Sequence, residues 1–534
     1  MLHLLFGAAL ATTPEVVYVA NGVEDSKPLN QLIGETPGRA SNKVVRVRGA
    51  LVLDGDVRVP AGTRNLTIIG DGSQIRVKRA THVFSIGRVD FSVTKPEPAA
   101  GLAGISIEPA KAGDQIVTVN RRVSPGWHVI YDAKRVPHLK NPGLSLNYGA
   151  MLVQVTDVDG FAAKLDRPLN REYDDEPMLA RVDHMLTEDV RIENFAVDGL
   201  YDPGKRGTGG FVVAGLAKGL IVKNMRARRI DSGVVKLGIC RDFVIDGVHA
   251  VEPTGNPSAP GDAYGIYILR SSHGTIRNSS TSGYRHGFIL HSGTTDVLVE
   301  DCSATAAGSA DFDTHGMDER RITFRRCKGR TGFGLGNDAW PLGGFGHVIE
   351  DSDVENGVYI GPNVTNTIIR RSSFGTAASR YLLWFSATEG GMPGNIRFEN
   401  CKFQGLHRLT VFQNRNVVGH LRFVDCEFSG GPDLYMLDFS RGAGKVTFER
   451  CAFRATDQRQ APVFIVSSKE PLDLSIRDSK FSSPSATRAI WVTKDFAGRL
   501  EARNNTFKSP KAERFLDAAP EAKVSGAANK ASKG

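Results

Sequence analysis

Two histidines and one carboxylate near the middle of the chain stand at a spacing that could serve acid–base chemistry. His291 and His315 are 24 residues apart, and Asp313 stands two residues before His315. An imidazole takes up and releases protons near neutral pH, and a neighbouring carboxylate can orient it. These residues therefore predict a proton-transfer site, provided that the fold brings the two histidines together.

A repeat with a period of roughly 26 residues runs from about residue 190 onward and must position these side chains. Its phrase, apolar-x-apolar-x-polar-small-x-apolar, occupies residues 297–304, 396–403 and 446–453 among other copies. The alternation of apolar residues is typical of strands and not of helices. Units this short cannot bury a core alone and must stack. The sequence predicts an all-β fold, a single-stranded right-handed parallel β-helix, whose hand follows from the preference for right-handed crossovers.

Interior ladders account for the cysteines and for the excess of phenylalanine. Five of the six cysteines share one register, and six phenylalanines share another two residues further on: Cys302, Cys327, Cys401, Cys426 and Cys451, then Phe374, Phe403, Phe428, Phe453, Phe481 and Phe507. No C-x-x-C pair occurs, which favours buried free thiols over metal ligands or disulfides. The residue before each cysteine position is usually Asn or Asp, which predicts a turn with left-handed backbone.

The second strands of successive units can be aligned by their glycines and apolar pairs. This alignment directs five apolar side chains inward: Ile266, Phe288, Phe312, Phe333 and Val358. One outward column then carries Tyr267, Asp313 and Tyr359, and the next carries His291 and His315, at about 5 Å from one coil to the next. The alignment predicts a shared outer face for all five side chains.

Residues beside these columns complete the candidate site. We expect Asp311 to be a further outward carboxylate, whereas His273 and His286 fall at strand ends and are interpreted as turn residues. The candidate substrate-binding residues are Arg270, Arg285, Asn337, Asp338 and Trp340, with Trp340 either a sugar-stacking platform or a cover for apolar surface. Glycines between residues 332 and 361 leave the adjoining coils bare, which suits a chain lying close to the backbone.

The rest of the chain divides by pattern. We expect the first coils of the β-helix over residues 16–91, an inserted small β module over 92–183, the main β-helix over 184–508 and a disordered tail over 509–534. The insert could form one wall of a cleft. Residues 1–15 contain a ten-residue apolar run that is too short to span a bilayer. This run predicts either a short signal peptide or an N-terminal arm.

Composition sets broad limits on the function. The hydrophobic fraction of 41% supplies a large core and excludes a disordered chain. The net charge of +9 permits an acidic partner without requiring one. We expect neither a nucleic acid nor a membrane as partner. The sequence identifies no metal ligands and no cofactor; it leaves a Ca²⁺ ion open, although no ligand loop specifies one.

The coil pattern resembles the pectate-lyase-like β-helix superfamily. Within that likeness, residues 312–315, Phe-Asp-Thr-His, resemble the Phe-Asp-Pro-His core of mannuronan C5-epimerases. The resemblance implies that His315 transfers protons and that Asp313 supports it. Thr314 replaces the proline, and Ala310 stands where that family has its tyrosine, so Tyr267 or Tyr359 would have to substitute. Early coils followed by a β insert are also similar to phage tailspike depolymerases.

Two classes of function follow. The first is a lyase or C5-epimerase acting on an acidic, uronate-containing polysaccharide, with His315 or His291 as base, Arg270 or Arg285 as cation and a tyrosine as proton donor. A hydrolytic variant would use paired carboxylates from Asp311, Asp313 and Asp338. The second class is a polysaccharide-binding protein of the tailspike type, which would be a homotrimer. The corresponding locations are secreted or periplasmic for an enzyme and the virion tail for a tailspike.

Overall fold

The computed structural model of the protein describes residues 13–79, 82–92, 102, 104–133, 136–138, 141–146, 149–199, 209–231, 233–259, 263–306, 308–315, 317–336, 342–376, 382–385, 393–405, 409–410, 416–430, 437–438, 442–456, 462–467 and 471–533. Regular structure in these residues is almost entirely β, in a parallel solenoid of about 17 turns. The chain is the all-β, single-stranded right-handed parallel β-helix that its repeat predicts. The apolar run of residues 2–11 lies outside the described part.

Each regular coil contributes a strand to each of three faces, and strands of successive coils pair in parallel. The first face comprises Glu15–Val19, Lys43–Arg48, Arg64–Val77, Thr187–Asp198, Ile221–Arg228, Val244–Val251, Ser272–Arg277, Thr295–Glu300, Thr323–Arg325, Val348–Glu350, Thr365–Arg370, Gly394–Glu399, Asn416–Val424, Gly442–Glu449, Leu472–Arg477, Arg499–Arg503 and Lys523–Ser525. Four of these strands, between residues 64 and 251, are long enough to continue onto the second face.

The second face follows after a short turn in each coil. It comprises Leu51–Leu53, Ser280–Ser282, Ser303–Thr305, Lys328–Gly329, Asp353–Val354, Ser373–Phe374, Lys402–Gly405, Glu427–Gly430, Ala452–Ala455, Lys480–Ser482, Thr506–Lys508 and Lys530–Ser532. The third face carries the candidate residues. It comprises Val57–Val59, His82–Gly87, Gly210–Lys218, Val235–Arg241, Tyr264–Leu269, His286–His291, Phe312–Thr314, Phe333–Leu335, Val358–Ile360, Leu383–Phe385, Leu409–Thr410, Leu437–Asp438, Phe464–Val466, Arg488–Val492 and Arg514–Ala518.

Stacked side chains fill the interior between the faces. The rings of Phe403 and Phe428 stack with centroids 4.9 Å apart, and those of Phe428 and Phe453 with centroids 5.0 Å apart. Burial of each such ring contributes about 1.5–3 kcal/mol relative to exposure. All six cysteines are buried and none forms a disulfide. The predicted phenylalanine and cysteine ladders are therefore confirmed.

The polar residue before each cysteine position turns the chain between the first and second faces. Asn400, Asp425 and Asp478 have φ angles of 52°, 53° and 52°. This left-handed conformation costs least for Asn, Asp and Gly. Asp246 is an exception, because the adjacent Gly247 takes the positive φ of 68° instead. The predicted turn ladder is otherwise confirmed.

A helix closes the N-terminal end of the solenoid. Ser26–Ile33 places Leu29 and Ile33 against the core, where both are fully buried. Two shorter helical segments are the α-helix Pro37–Ala40 and the 3-10 helix Val89–Ser92. Among the described residues, neither α-helix has the length and hydropathy needed to cross a membrane.

The irregular stretch after the first coils forms a separate antiparallel sheet. Its six strands, in spatial order, are Ile105–Ser106, Pro177–Arg181, Gly126–Asp132, Ala150–Asp159, Ala162–Leu165 and Ile116–Thr118. A two-stranded hairpin, Val136–His138 and Asn141–Leu146, accompanies it. This sheet packs against the ends of third-face strands, where Leu216 and Ile239 of the solenoid belong to one apolar cluster with Trp127 of the insert.

The prediction of a disordered tail over residues 509–534 is wrong for the residues that the structure describes. Arg514–Ala518, Lys523–Ser525 and Lys530–Ser532 extend the three faces by parallel pairing. Phe515 inserts into the core and is buried. Composition is misleading here because backbone hydrogen bonds to the open edge of the preceding coil order the segment, although its side chains are mostly polar and exposed.

Candidate active site

The register of the third face brings the candidate columns together as the alignment predicts. Ile289 pairs with Asp313, Asp313 with Gly334 and Gly334 with Tyr359. Two residues further along each strand, the rings of His291 and His315 lie on adjacent coils with centroids 4.8 Å apart. A 24-residue separation in sequence thus becomes one coil spacing.

One carboxylate oxygen lies between two imidazoles. Nδ1 of His315 is 2.8 Å from Oδ2 of Asp313 and forms a hydrogen bond with it. Nδ1 of His286 is also 2.8 Å from this oxygen, but the angle is not that of a hydrogen bond. The side chain of His315 is 17% exposed, whereas those of His286 and Asp313 are 4% and 6% exposed. Only His315 of the three offers an accessible edge.

The sequence interpretation of His286 as a turn residue is wrong. His286 begins the strand His286–His291, pairs with Tyr264 of the preceding coil and is buried against it, with ring centroids 5.1 Å apart. The alternation of inward and outward residues along this strand does not predict that His286 reaches Asp313, because the first residue of a strand lies at a corner and need not follow the alternation. The available signal was Tyr264 itself, an aromatic residue at the equivalent corner one coil earlier.

Burial and neighbouring charges shift the pKa values of these side chains. Burial alone would raise the pKa of Asp313, but His286 and His315 hold it well below its usual range. Burial alone would lower the pKa of His315, but the Asp313 carboxylate raises it above its ordinary value. Burial also lowers the pKa of His286 and, far more strongly, that of His291. The site therefore places an imidazole of raised pKa, His315, beside two imidazoles of lowered pKa.

Tyr267 faces the same column but is covered. It is 3% exposed and packs with Tyr264, Leu269 and Ile289. Its ring meets that of His291 edge to face at 5.9 Å. Burial raises the pKa of its hydroxyl well above the usual value. Tyr267 is thus a protonated group next to His291, and Ile289 separates it from Asp313 along the column.

Two cations adjoin Tyr267: Lys236 lies on the preceding coil, and Arg270 lies beside His291. Nζ of Lys236 lies 5.2 Å from the centroid of the Tyr267 ring. Burial and the neighbouring Arg270 lower the pKa of Lys236 to about 8. Arg270 is 3% exposed, and burial lowers its pKa to about 10. Arg270 is among the residues predicted from the sequence, whereas Lys236, which shares the outward column with Tyr267, is not.

The expectation that Asp311 is an outward carboxylate is wrong. Its side chain is fully buried, and it accepts hydrogen bonds from the backbone N–H groups of Ala306, Thr331 and Gly332. Burial raises the pKa of Asp311. It stands immediately before the strand Phe312–Thr314, at a corner where backbone donors lack ladder partners. Asp311 therefore stabilises two successive turns and does not belong to the site.

Glu319 is a buried acid that the sequence analysis missed. It is fully buried, and both its carboxylate oxygens accept from the backbone N–H of Met317. Burial raises its pKa to about 7, and His315 acts on it in the opposite direction. It lies in the irregular turn after the third face, where the repeat gives no register by which to find it.

The remaining candidates lie at the edges of the site or outside the described residues. Arg285 is half-buried and donates from Nη1 to the carbonyl oxygen of Pro257 at 3.2 Å. Its charge acts on both His286 and His315. Tyr359 lies two coils beyond Asp313, with Gly334 between them. Asn337, Asp338 and Trp340 lie outside the described residues.

The floor beside the dyad of Asp313 and His315 is bare backbone. A Cβ added to Gly334 would lie 2.9 Å from Oδ1 of Asp313 and 3.2 Å from Cβ of Ala310. Gly336 has a φ of 82°, and a Cβ there would lie 2.8 Å from Val364. A side chain is therefore excluded at Gly334 by contact and at Gly336 by contact and backbone conformation.

The insert is fixed to the turns that follow both histidine strands. The guanidinium of Arg171, which is fully buried, donates to the carbonyl oxygen of Gly293 and lies 3.0 Å from the Asp318 carboxylate. The amide of Asn170 donates to the hydroxyl of Thr295 at 2.5 Å. These contacts follow His291 by two to four residues and His315 by three. The insert therefore borders the site on this side.

His286, Asp313 and His315 together could bind a metal ion. The ligand atoms of His286, Asp313 and His315 lie within 4.8 Å of one another. Two imidazole nitrogens and one carboxylate oxygen suit Zn²⁺ or another divalent transition metal, whereas Ca²⁺ prefers oxygen ligands. The nitrogen of His286 that lacks hydrogen-bond geometry would be available to such an ion.

No family model and no curated protein matches the sequence. Solved structures similar in fold include the tailspike protein gp49 from Pseudomonas phage LKA1, 14% identical over 90% of this chain and 70% of that one, with a TM-score of 0.34. The tailspike gp61 of Pseudomonas phage phi297 is 12% identical over 93% and 70%, with a TM-score of 0.40. The A-module of the Azotobacter vinelandii mannuronan C-5 epimerase AlgE6 is 10% identical over 65% and 90%, with a TM-score of 0.38. These are likenesses of fold.

Proposed function

We propose that the protein is a lyase or C5-epimerase that acts on an acidic, uronate-containing polysaccharide. The observation that carries the proposal is the hydrogen bond between Asp313 and Nδ1 of His315. A carboxylate that accepts the Nδ1 proton leaves Nε2 of the neutral ring as a proton acceptor. His315 is also the member of the cluster with an accessible edge. An accessible, carboxylate-backed imidazole is suited to removing a weakly acidic C–H proton.

The chemistry starts at the carbon next to the uronate carboxylate. Nε2 of His315 removes the proton from C5, and the electron pair left behind moves into the carboxylate group. In elimination, the C4–O4 bond then breaks, a C4=C5 double bond forms and the departing oxygen takes up a proton. In epimerisation, C5 receives a proton on its opposite face instead. Both outcomes share the first step.

The carboxylate of the substrate must be neutralised for this proton to become acidic enough. Arg285 is the cation that acts electrostatically on both His286 and His315. We assign it to the substrate carboxylate. Tyr267, whose hydroxyl stays protonated, is placed against His291 and is our candidate for proton delivery. Tyr359, on the opposite side of Asp313, is the alternative donor.

A glycoside hydrolase is the second candidate. It is favoured by the opposite pKa shifts of two acids, since Asp313 is held ionised while burial raises the pKa of Glu319 to about 7. One ionised and one protonated carboxyl group is the pattern that glycoside hydrolysis requires. The full burial of Glu319 weighs against a direct contact with substrate. Asp311 cannot serve as the second carboxylate, because it is buried and accepts from three backbone N–H groups.

The experiment that tests the proposal is incubation of the protein with a panel of uronate polysaccharides. Absorbance near 232 nm would report unsaturated ends, reducing-end assays would report hydrolysis, and the exchange of solvent deuterium into C5 would report epimerisation. The matched pair of variants is His315→Ala and His249→Ala, since His249 is exposed away from the cluster. We expect only the first to abolish turnover. Turnover that survives His315→Ala, or reducing ends without unsaturation, would contradict the proposal.

We also propose a secreted or periplasmic location, with a virion tail as the alternative.

A further inference from the structure

The outward column that contains Asp313 continues beyond the site into aromatic side chains. Gly334 pairs with Tyr359, and Tyr359 pairs with Trp384 in the strand Leu383–Phe385. The two rings meet edge to face with centroids 5.9 Å apart. Trp384 is 42% exposed and is flanked within its strand by the buried Leu383 and Phe385. An indole in this setting is held by its strand and still presents surface.

The order of residues along the column relates these rings to the dyad of Asp313 and His315. The coil next to Asp313 has no side chain at Gly334, because a Cβ there would contact the Asp313 carboxylate. The following coil has Tyr359, and the third has Trp384, so the indole lies about 14 Å from the Asp313 position along the solenoid axis. A bare slot therefore separates a proton-transfer dyad from an aromatic platform.

We propose that Tyr359 and Trp384 form a subsite for a sugar ring of the polysaccharide, a few residues along the chain from the sugar that meets His315. This inference rests on the proposed function and specifies how the substrate lies, with its chain parallel to the solenoid axis. The apolar face of a pyranose packs on an aromatic ring, while its hydroxyl groups remain hydrated. In this assignment Tyr359 is a binding residue and Tyr267 remains the candidate proton donor.

Trp491 provides a matched control in the same face. It is 39% exposed, close to the value for Trp384, and lies in the strand Arg488–Val492. Its column neighbours are Ile465 and Asp517, and the guanidinium of Arg488 already lies 5.9 Å from the centroid of its ring. Trp491 is thus about as exposed as Trp384, but it does not share a column with the dyad.

The test is calorimetric binding of uronate oligosaccharides, disaccharide and hexasaccharide, to the full-length chain. Trp384→Ala should weaken hexasaccharide binding by roughly tenfold and leave disaccharide binding unchanged, since stacking on an aromatic ring is worth about 1 kcal/mol or more. Trp384→Phe should retain most of the affinity, and so should Tyr359→Phe. Trp491→Ala should match the wild type. Trp384→Phe also guards against misfolding as the cause of a loss.

The outcomes separate this inference from the proposed function. If the wild type turns over a polyuronate and Trp384→Ala changes neither KM nor hexasaccharide affinity, the subsite is wrong and the proposed function stands. If the wild type binds oligosaccharides in a manner that depends on Trp384 but produces no unsaturated end, epimerised sugar or new reducing end, the subsite stands and the enzyme proposal fails. Equal losses in Trp384→Ala and Trp491→Ala would overturn the subsite, as would the absence of any binding.

Discussion

Nδ1 of His286 lies 2.8 Å from Oδ2 of Asp313, although the two residues are 27 positions apart and belong to different coils. The same oxygen accepts a hydrogen bond from His315. A single buried carboxylate thus connects the two coils, and His315 is the accessible member of the three.

Replacing Asp313 by Asn should lower turnover and shift its pH dependence. In the wild type, His315 must be neutral to act as a base, and Asp313 raises its pKa above the ordinary 6.5. Turnover should therefore rise with pH and level off only above that raised pKa. In Asp313→Asn the midpoint should move to lower pH, because the carboxylate that raises the pKa of His315 is lost while burial, which lowers it, remains. We expect kcat to fall by about 10²- to 10⁴-fold. Profiles of kcat and of kcat/KM against pH measure the two effects; an unmoved midpoint would contradict the dyad.

Zinc ions should inhibit the enzyme, and a chelator should reverse the inhibition. Zn²⁺ bound by His286, Asp313 and His315 would occupy the lone pairs that proton transfer needs. Initial rates should fall in micromolar ZnCl₂ and recover with EDTA, while CaCl₂ at the same concentration should have no such effect. His286→Ala should weaken Zn²⁺ inhibition by roughly tenfold or more, since one of three ligands is lost. Activation by Zn²⁺ would instead indicate that the metal takes part in the reaction.

Asp311 should matter for stability and not for chemistry. Asp311→Ala leaves three backbone N–H groups without their acceptor, and we expect a loss of about 2–4 kcal/mol in the free energy of unfolding. Denaturant titration measures this loss, and Asp353→Ala, at an exposed second-face position, should stay within about 0.5 kcal/mol of the wild type. The kcat of the folded fraction of Asp311→Ala should be unchanged. A large fall in kcat without destabilisation would contradict this prediction and show that Asp311 takes part in the chemistry.

The insert should depend on Arg171 for its attachment. Arg171→Met would remove a fully buried guanidinium from the Asp318 carboxylate and from the carbonyl of Gly293, at a cost of about 3–5 kcal/mol. Hydrogen exchange over the segment after His291 and the segment after His315 should become faster. Arg167→Met is the control, because that side chain is 28% exposed and its ion pairs measure 3.5 and 3.6 Å. Comparable exchange in the two variants would show that Arg171 does not anchor the insert.

The sequence by itself determined the coil, its registers and the neighbours within each column. Parallel strands of equal period stack in register, so that His291 had to lie over His315, Asp313 had to share a column with Tyr359, and the phenylalanine ladder had to form. These relationships depend only on periodicity and on a fixed spacing between strands.

Only the tertiary structure decided which side chains are buried, and which partners they contact, at the corners before and after the third face. His286 reaches Asp313, Asp311 turns inward to backbone donors, and Glu319 is buried in a turn. The corners on either side of the third face differ from coil to coil, unlike the corner between the first and second faces, so the repeat does not predict these positions. The ordered C-terminal coil likewise follows from backbone pairing with an existing edge, which composition does not record. The period of the repeat determines which side chains are neighbours along the solenoid axis, whereas burial and backbone contacts at its corners determine which of them can take part in chemistry.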